Sequence, residues 1–364
     1  MLPTVSSLTE ELIRMRGVTD FELRGITLRE SRADGLTARS CARVEFKNLL
    51  IENVGNTAMI VTGGHHVRVD ACEFTGTGDG CIIIEGGDVK QLLPCDHEVV
   101  NCEFHHFSTW SRTYKSAIRP SGCGMNISHN SIHDAPHCAI LYRGADMRIE
   151  YNDICRVALE TDDVGAIYTG FSWVERGNVI RGNHIHGMVA NEDGFALVMG
   201  IYLDDFHSGQ VVVDNIVEGA EIGLEIGGGR DNLVEGNIFI HCKHAIHVDA
   251  RGTSWASNLF TDKSPRPRST KLHDQIRDFA VGEPPFCDRF PVLQTYLADQ
   301  PELPKGNVLN DNQAWECTEL MEYVDDIDDA ILASNTNNRF IEGRPADADA
   351  QLATHPAMQS GIRR

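Results

Sequence analysis

Gly200-Ile201-Tyr202-Leu203-Asp204-Asp205 decides the fold, because its outline of a small residue, an aliphatic one and a variable one recurs along the chain. Ala117-Ile118-Arg119, Ala139-Ile140-Leu141, Ala166-Ile167-Tyr168, Gly223-Leu224-Glu225 and Ala245-Ile246-His247 are its copies. A second phrase, Asn-x-Ile/Val/Phe, alternates with it at Asn130, Asn152, Asn183, Asn215 and Asn237. Asn130 to Asn152, Asn215 to Asn237, Ile118 to Ile140 and Leu224 to Ile246 each span 22 residues. A unit of about 20 to 25 residues, with short strands between turn residues, is one rung of a parallel β-helix that buries its apolar side chains against its neighbours. A leucine-rich repeat has similar length, but no Leu-x-x-Leu-x-Leu phrase is present. The asparagines are scaffold, stacked at one corner where the amide satisfies backbone groups and tolerates a left-handed turn.

Composition agrees. With 33 glycines in 364 residues, 41% hydrophobic and 7% aromatic content, the chain suits a β-solenoid better than a helical bundle. The expectation is an all-β, right-handed parallel β-helix over residues 1–330, with loop insertions on one face and a partly helical decoration at about 253–304. Residues 331–364 form a tail that wraps the outside or frays. A net charge of -21 argues against nucleic-acid and anionic-membrane partners, and no run of about 18 apolar residues occurs. The start, Met1-Leu2-Pro3-Thr4-Val5, lacks signal-peptide features, so the chain as written is cytoplasmic, or secreted or periplasmic after loss of a leader. Eleven cysteines without a Cys-x-x-Cys pair read as buried reduced thiols, with Cys72 and Cys102 at corner-Asn positions. Alternation begins at once in Leu12 to Ile26, leaving an open first rung that a homo-oligomer contact would cover, or that has lost an upstream segment.

Three insertions, His105 to Ser116, Arg156 to Gly165 and Gly187 to Met199, fall at one corner and should rim a groove. Side chains alternate along a strand, so Arg119, Leu141, Tyr168, Tyr202, Glu225 and His247 form one outward column. Ser121, Arg143, Gly170, Asp204, Gly227 and Asp249 form the next. Stacked ionisable groups can be a plain solvated charge ladder. Two acidic pairs, Asp162-Asp163 and Asp204-Asp205, flank consecutive rungs, however, and paired carboxyls across a scissile bond are what saccharide hydrolysis needs. A straight strand would hold Asp163 and Asp204 too far apart, so the loop must fold Asp163 back. Trp110 with Arg112, and Trp173, are platforms for sugar rings or simple loop anchors. At the Asn corner, His105, His133, Cys155 and His186 make a column that would take a transition metal. Glu160, Asp162, Asp163 and Asp193 would take Ca²⁺. No cofactor is otherwise required.

Leu159-Glu160-Thr161-Asp162-Asp163-Val164-Gly165-Ala166-Ile167-Tyr168-Thr169-Gly170, Gly200 to Asp205, Ile226-Gly227-Gly228-Gly229-Arg230-Asp231-Asn232 and Ala245-Ile246-His247-Val248-Asp249-Ala250-Arg251-Gly252 resemble the signature phrases of β-helix proteins similar to glycoside hydrolase family 141. The resemblance runs from about Leu12 to Asn312. It implies a right-handed β-helix acting on plant-type polysaccharide, with α-L-fucosidase and xylanase activities among its members and two catalytic aspartates, carried over to Asp163 and Asp204. Relatives typically have a long segment ahead of Arg16-Gly17.

The leading expectation is therefore a glycoside hydrolase cleaving a polysaccharide or oligosaccharide. Asp163, Asp204, Asp162, Asp205 and Glu225 are its catalytic set, and Arg143, Tyr168, Tyr202, His247, Asp249, Trp110, Arg112, Trp173 and Arg119 bind substrate. A polysaccharide lyase or uronate epimerase would instead remove a proton beside a uronate carboxyl, using Arg143, Arg119, Tyr168 and His247. A non-catalytic carbohydrate-binding solenoid is the third expectation.

Overall fold

A computed structural model describes residues 7–188, 197–260 and 267–363. The chain is a right-handed parallel β-helix of three faces. The first face stacks Ile82–Gly86, Ile118–Cys123, Val164–Gly170, Val198–Asp204, Ile222–Gly227, His244–Asp249 and Glu319–Val324, among others. The second stacks short strands such as Met125–Ser128, Arg148–Glu150, Val179–Arg181 and Val211–Val213. The long strands Asp34–Lys47 and Met59–Asp70 run round the corner between these faces and join them into one sheet of 21 strands. The third face is a sheet of 11 strands from Thr27–Arg29 to Arg339–Ile341.

Ile118, Ile140, Ile167, Ile201, Leu224, Ile246 and Met321 pair in strict succession. All but Met321 are buried, so the aliphatic pile expected from the repeat exists and fixes the register. Each buried aliphatic side chain contributes roughly 1.5–3 kcal/mol, and a slip of one residue would turn the whole pile outward.

The corner asparagines form an unbroken amide ladder. Asn130, Asn152, Asn183, Asn215, Asn237 and Asn312 each donate Nδ2 to the Oδ1 of the next, ending on Asn338, at 2.9–3.0 Å. The left-handed turn is not theirs, contrary to expectation. It falls one residue earlier, on His129, Tyr151, Gly182, Asp214, Gly236, Asp311 and Asn337, while the Asn bonds the strand it opens. Upstream, thiols take the place of the amide: the Cys102 backbone N–H donates to Asn130 Oδ1 at 3.0 Å, and that of Cys72 to Cys102 Sγ at 3.4 Å. A second, shorter ladder of Asn178, Gln210, Asn232 and Asn307 lies between the first two faces.

Two boundaries shift. The solenoid continues past residue 330, because Ser334–Thr336 pairs with Val308–Asn310 and Arg339–Ile341 with Gln313–Trp315. Only then does the tail wrap the outside, where Ala348 and Ala357 bury against Ile216, Ile238, Ile240 and Trp315. Between His244–Asp249 and Val308–Asn310, the described residues of the decoration, 250–260 and 267–306, hold an α-helix at Pro267–Asp278 and a 3₁₀ segment at Pro291–Ala298. Its own core joins Phe286, Leu293 and Tyr296 to Trp173 and Phe206. Arg176 and Arg230 pin it to the solenoid through Tyr296 and Asp299. All eleven cysteines are free thiols, and all but Cys287 are buried. No helix among the described residues is long and apolar enough to cross a membrane.

Candidate active site

The outward columns stand in the expected register. Leu141 lies beside Tyr168, Tyr168 beside Tyr202, Tyr202 beside Glu225 and Glu225 beside His247. Gly170 pairs with Asp204 and Gly227 with Asp249. Over these strands lies a cleft of about 990 Å³, flanked by Tyr114, Asp163 and Leu197 of the corner insertions on one side and by Arg251 and Trp255 of the decoration on the other. Asp163, Asp204, Asp205 and Glu225 line it, as do Arg119, Arg143, Tyr168, Tyr202, His247 and Asp249.

Two tyrosines cross-link the two strands that carry the aspartates. Tyr168 Oη donates to Asp204 Oδ2 at 2.9 Å, and Tyr202 Oη donates to Asp163 Oδ1 at 3.2 Å, so each phenol serves the carboxyl on the other's strand. The rings stack at 5.0 Å, 9° from parallel. Gly165 permits this, since a Cβ there would lie 2.6 Å from that of Tyr202. Asp163 takes a left-handed backbone (φ 51°) just before Val164, which is the fold-back that the straight-strand geometry demanded. Although it opens to solvent, the surrounding wall desolvates it. That desolvation, followed by the charge of Asp204, pushes its carboxyl above the ordinary aspartate range. Three donors converge on Asp204: Tyr168, the Asp205 backbone N–H at 2.7 Å and Arg251 Nη1 at 2.7 Å.

Arg251, which the sequence reading did not single out, lines the cleft. Its buried guanidinium also bonds Asp249 Oδ2 at 2.7 Å, Glu225 Oε1 at 2.6 Å and Asp205 Oδ1 at 3.3 Å. Gly227 makes room for it, because a Cβ at that position would sit 2.3 Å from Arg251 Cζ. Burial pushes Glu225 up to about 7, even against the Arg251 charge, and its Oε2 has no hydrogen-bond partner among the described residues. His247 feels burial pulling it down, but bonds to Asp249 and Glu322 and the Glu225 charge outweigh this and push it up to about 9. Trp255, exposed in the cleft with its ring 5.5 Å from the Arg251 guanidinium, was missed as well.

Several expected residues lie elsewhere. Trp173 is fully buried and packs edge-to-face on Tyr296, so it anchors the decoration and offers no face to a sugar. Trp110 is exposed but lies outside the cleft lining, and Arg112 is committed to Glu160. Asp162 points to solvent beyond the lining. With Glu160 on Arg112 and Asp163 on Tyr202, those loop carboxyls are tied to separate partners; Asp193 and most of the third insertion lie outside the described residues. His105, His133, Cys155 and His186 do form a column, on the third face. His105 and His133 stack at 5.3 Å, each bonded to a glutamate of the preceding rung, Glu73 and Glu103. They do not converge with His186 on one point.

Residues 91–239 match the family model described as a right handed beta helix region. Among solved structures, a glycoside hydrolase aligns at 19% identity over 58% of this chain and 38% of its own, with a TM-score of 0.43. A PL6 family alginate lyase aligns at 11% identity over 98% of this chain and 54% of its own, with a TM-score of 0.41. The chain thus spans 38% and 54% of the lengths of these two structures. No curated protein matches it.

Proposed function

We propose that the protein is a glycoside hydrolase, similar to family 141, that cleaves a polysaccharide or oligosaccharide lying across the rungs of the first face. The crossed Tyr168–Asp204 and Tyr202–Asp163 pairs carry this reading, because they put two carboxyls with different surroundings in one cleft. Asp163, whose carboxyl desolvation and the charge of Asp204 push above the ordinary aspartate range, protonates the departing glycosidic oxygen. Asp204, oriented by Arg251 and Tyr168, attacks the anomeric carbon or takes the proton from the attacking water. Glu225 and Asp249 reach Asp204 only through Arg251, and His247 sits behind Asp249 with Glu322. Trp255 offers an apolar ring to a bound sugar.

A lyase or epimerase reading draws on a different observation. Arg119 and Arg143 project into the cleft from neighbouring rungs, and neither forms an ion pair among the described residues. Such cations would neutralise a uronate carboxyl. The Tyr168 phenol, however, is pushed far up by burial and by Asp204, which makes it a poor proton acceptor. A panel of neutral and uronic-acid glycans, assayed with and without chelator, separates these readings. New reducing ends without ultraviolet-absorbing product support hydrolysis. An unsaturated product marks elimination, and binding without turnover marks a non-catalytic solenoid.

A further inference from the structure

Away from the cleft, on the third face, Asp153, His184 and His186 converge, and the geometry points to a binding site for a divalent transition-metal ion of the Zn²⁺ class. His184-Ile185-His186 is a strand whose central isoleucine is fully buried, so both imidazoles leave from the same side. Asp153 pairs with His184 from the preceding rung. Its Oδ1 lies 3.5 Å from His184 Nδ1 and 3.1 Å from His186 Nε2, and one donor atom from each residue falls within 4.8 Å of the others. The two rings stack at 4.2 Å.

Two imidazole nitrogens and one carboxylate oxygen form a donor set that suits Zn²⁺, Co²⁺, Ni²⁺ or Cu²⁺ and is too nitrogen-rich for Ca²⁺ or Mg²⁺. Three protein ligands leave a position for water. The backbone beneath is fixed on both sides, since Ile154, Ile185 and Val217 pair in succession. Among the described residues the ion-pair partners of Asp153 are these two histidines, and the Arg156 guanidinium, whose charge also reaches Asp153, is bonded to Asp134. That separates the site from two other groupings. In Glu225–His247–Asp249, the Arg251 guanidinium already sits 2.6 Å from Glu225 and 2.7 Å from Asp249, so an incoming cation would meet a resident one. In His244–Glu319–Glu322, a single imidazole faces two carboxylates, one of which also holds His247.

A bound ion would clamp the Asn152 rung to the Asn183 rung where the chain leaves His186 for the third insertion, beside the tail, whose Gly361 N–H bonds Tyr151 O. Because this reading does not depend on the cleft chemistry, its test needs no substrate. Untagged, chelator-stripped protein is titrated calorimetrically with Zn²⁺, and with Co²⁺ while the visible absorption of a nitrogen-ligated ion is followed. The same titrations are run on Asp153→Asn, His184→Ala, His186→Ala and Glu322→Gln, each checked by circular dichroism. The expected result is one equivalent bound, weakened about tenfold or more by each of the first three substitutions and retained in Glu322→Gln. Absence of binding, affinity unchanged in folded His186→Ala and Asp153→Asn, or loss confined to Glu322→Gln would overturn the assignment.

Discussion

Arg251 Nη1 lies 2.7 Å from Asp204 Oδ1 across the gap left by Gly227, so one guanidinium fixes the carboxylate at the centre of the cleft. The same group also bonds Asp249 and Glu225, both buried. Removing one partner of a buried ionic network leaves the others uncompensated, at a cost of about 3–5 kcal/mol. Arg251→Met should lose about that much in urea unfolding and should also lose turnover. Arg251→Lys should not restore turnover, because a point charge cannot span the fork between Asp204 and Asp249.

Stability should fall as the medium becomes alkaline. His247 is pushed from an ordinary 6.5 up to about 9, so the folded state holds its proton more tightly than the unfolded chain does. Its contribution is complete below pH 6.5 and is lost as pH rises through 9. Glu225, pushed from 4.5 up to about 7, acts in the same direction between those two values. Asp249, held down at about 2, contributes above 3.8 and fails only as pH falls through 2. Denaturation midpoints should therefore drop between pH 6.5 and 9, and His247→Gln should flatten that drop. A midpoint that rises over this range in the parent protein would refute the assignment.

The corner ladder should be costly to interrupt. Asn183 Nδ2 donates to Asn215 Oδ1 and Ile149 O, and its Oδ1 receives the Asn152 amide and backbone N–H, all buried. Unpaired buried polar groups cost about 1–3 kcal/mol each, so Asn183→Ala should destabilise by about 3 kcal/mol or more. Cys102→Asn, which extends the amide ladder by one step toward Cys72, should change stability far less. Equilibrium urea unfolding of the two variants checks both.

Most of the scaffold was legible in the sequence because a solenoid repeats its physics. Ile167 over Ile140 and Ile201 over Ile167 need only a two-residue alternation and a recurring small residue, and both are visible as text. The outward columns follow, and with them Tyr168, Tyr202, Asp204 and Glu225. Arg251 was hidden because it lies two residues beyond the end of its strand and folds back over a neighbouring rung. Its signal was the missing side chain at Gly227, between Asp204 and Asp249 in the outward column. Trp173 misled for the opposite reason. A loop tryptophan reads as exposed until a much later part of the chain, around Phe286 and Tyr296, covers it. The tail boundary failed because the last rung carries weak aliphatic content, with Ser334–Thr336 pairing through polar residues.

The most direct test of the paired-carboxyl account compares Asp163→Asn and Asp204→Asn on a natural glycan and on an aryl glycoside of the same sugar with an activated leaving group. Both variants should fold and should lose about 10² to 10⁴ in turnover on the natural glycan. Asp163→Asn should regain much of its loss on the activated substrate, which needs no proton, whereas Asp204→Asn should stay inactive on both. Parent-level turnover of folded Asp204→Asn on the natural glycan would contradict the account.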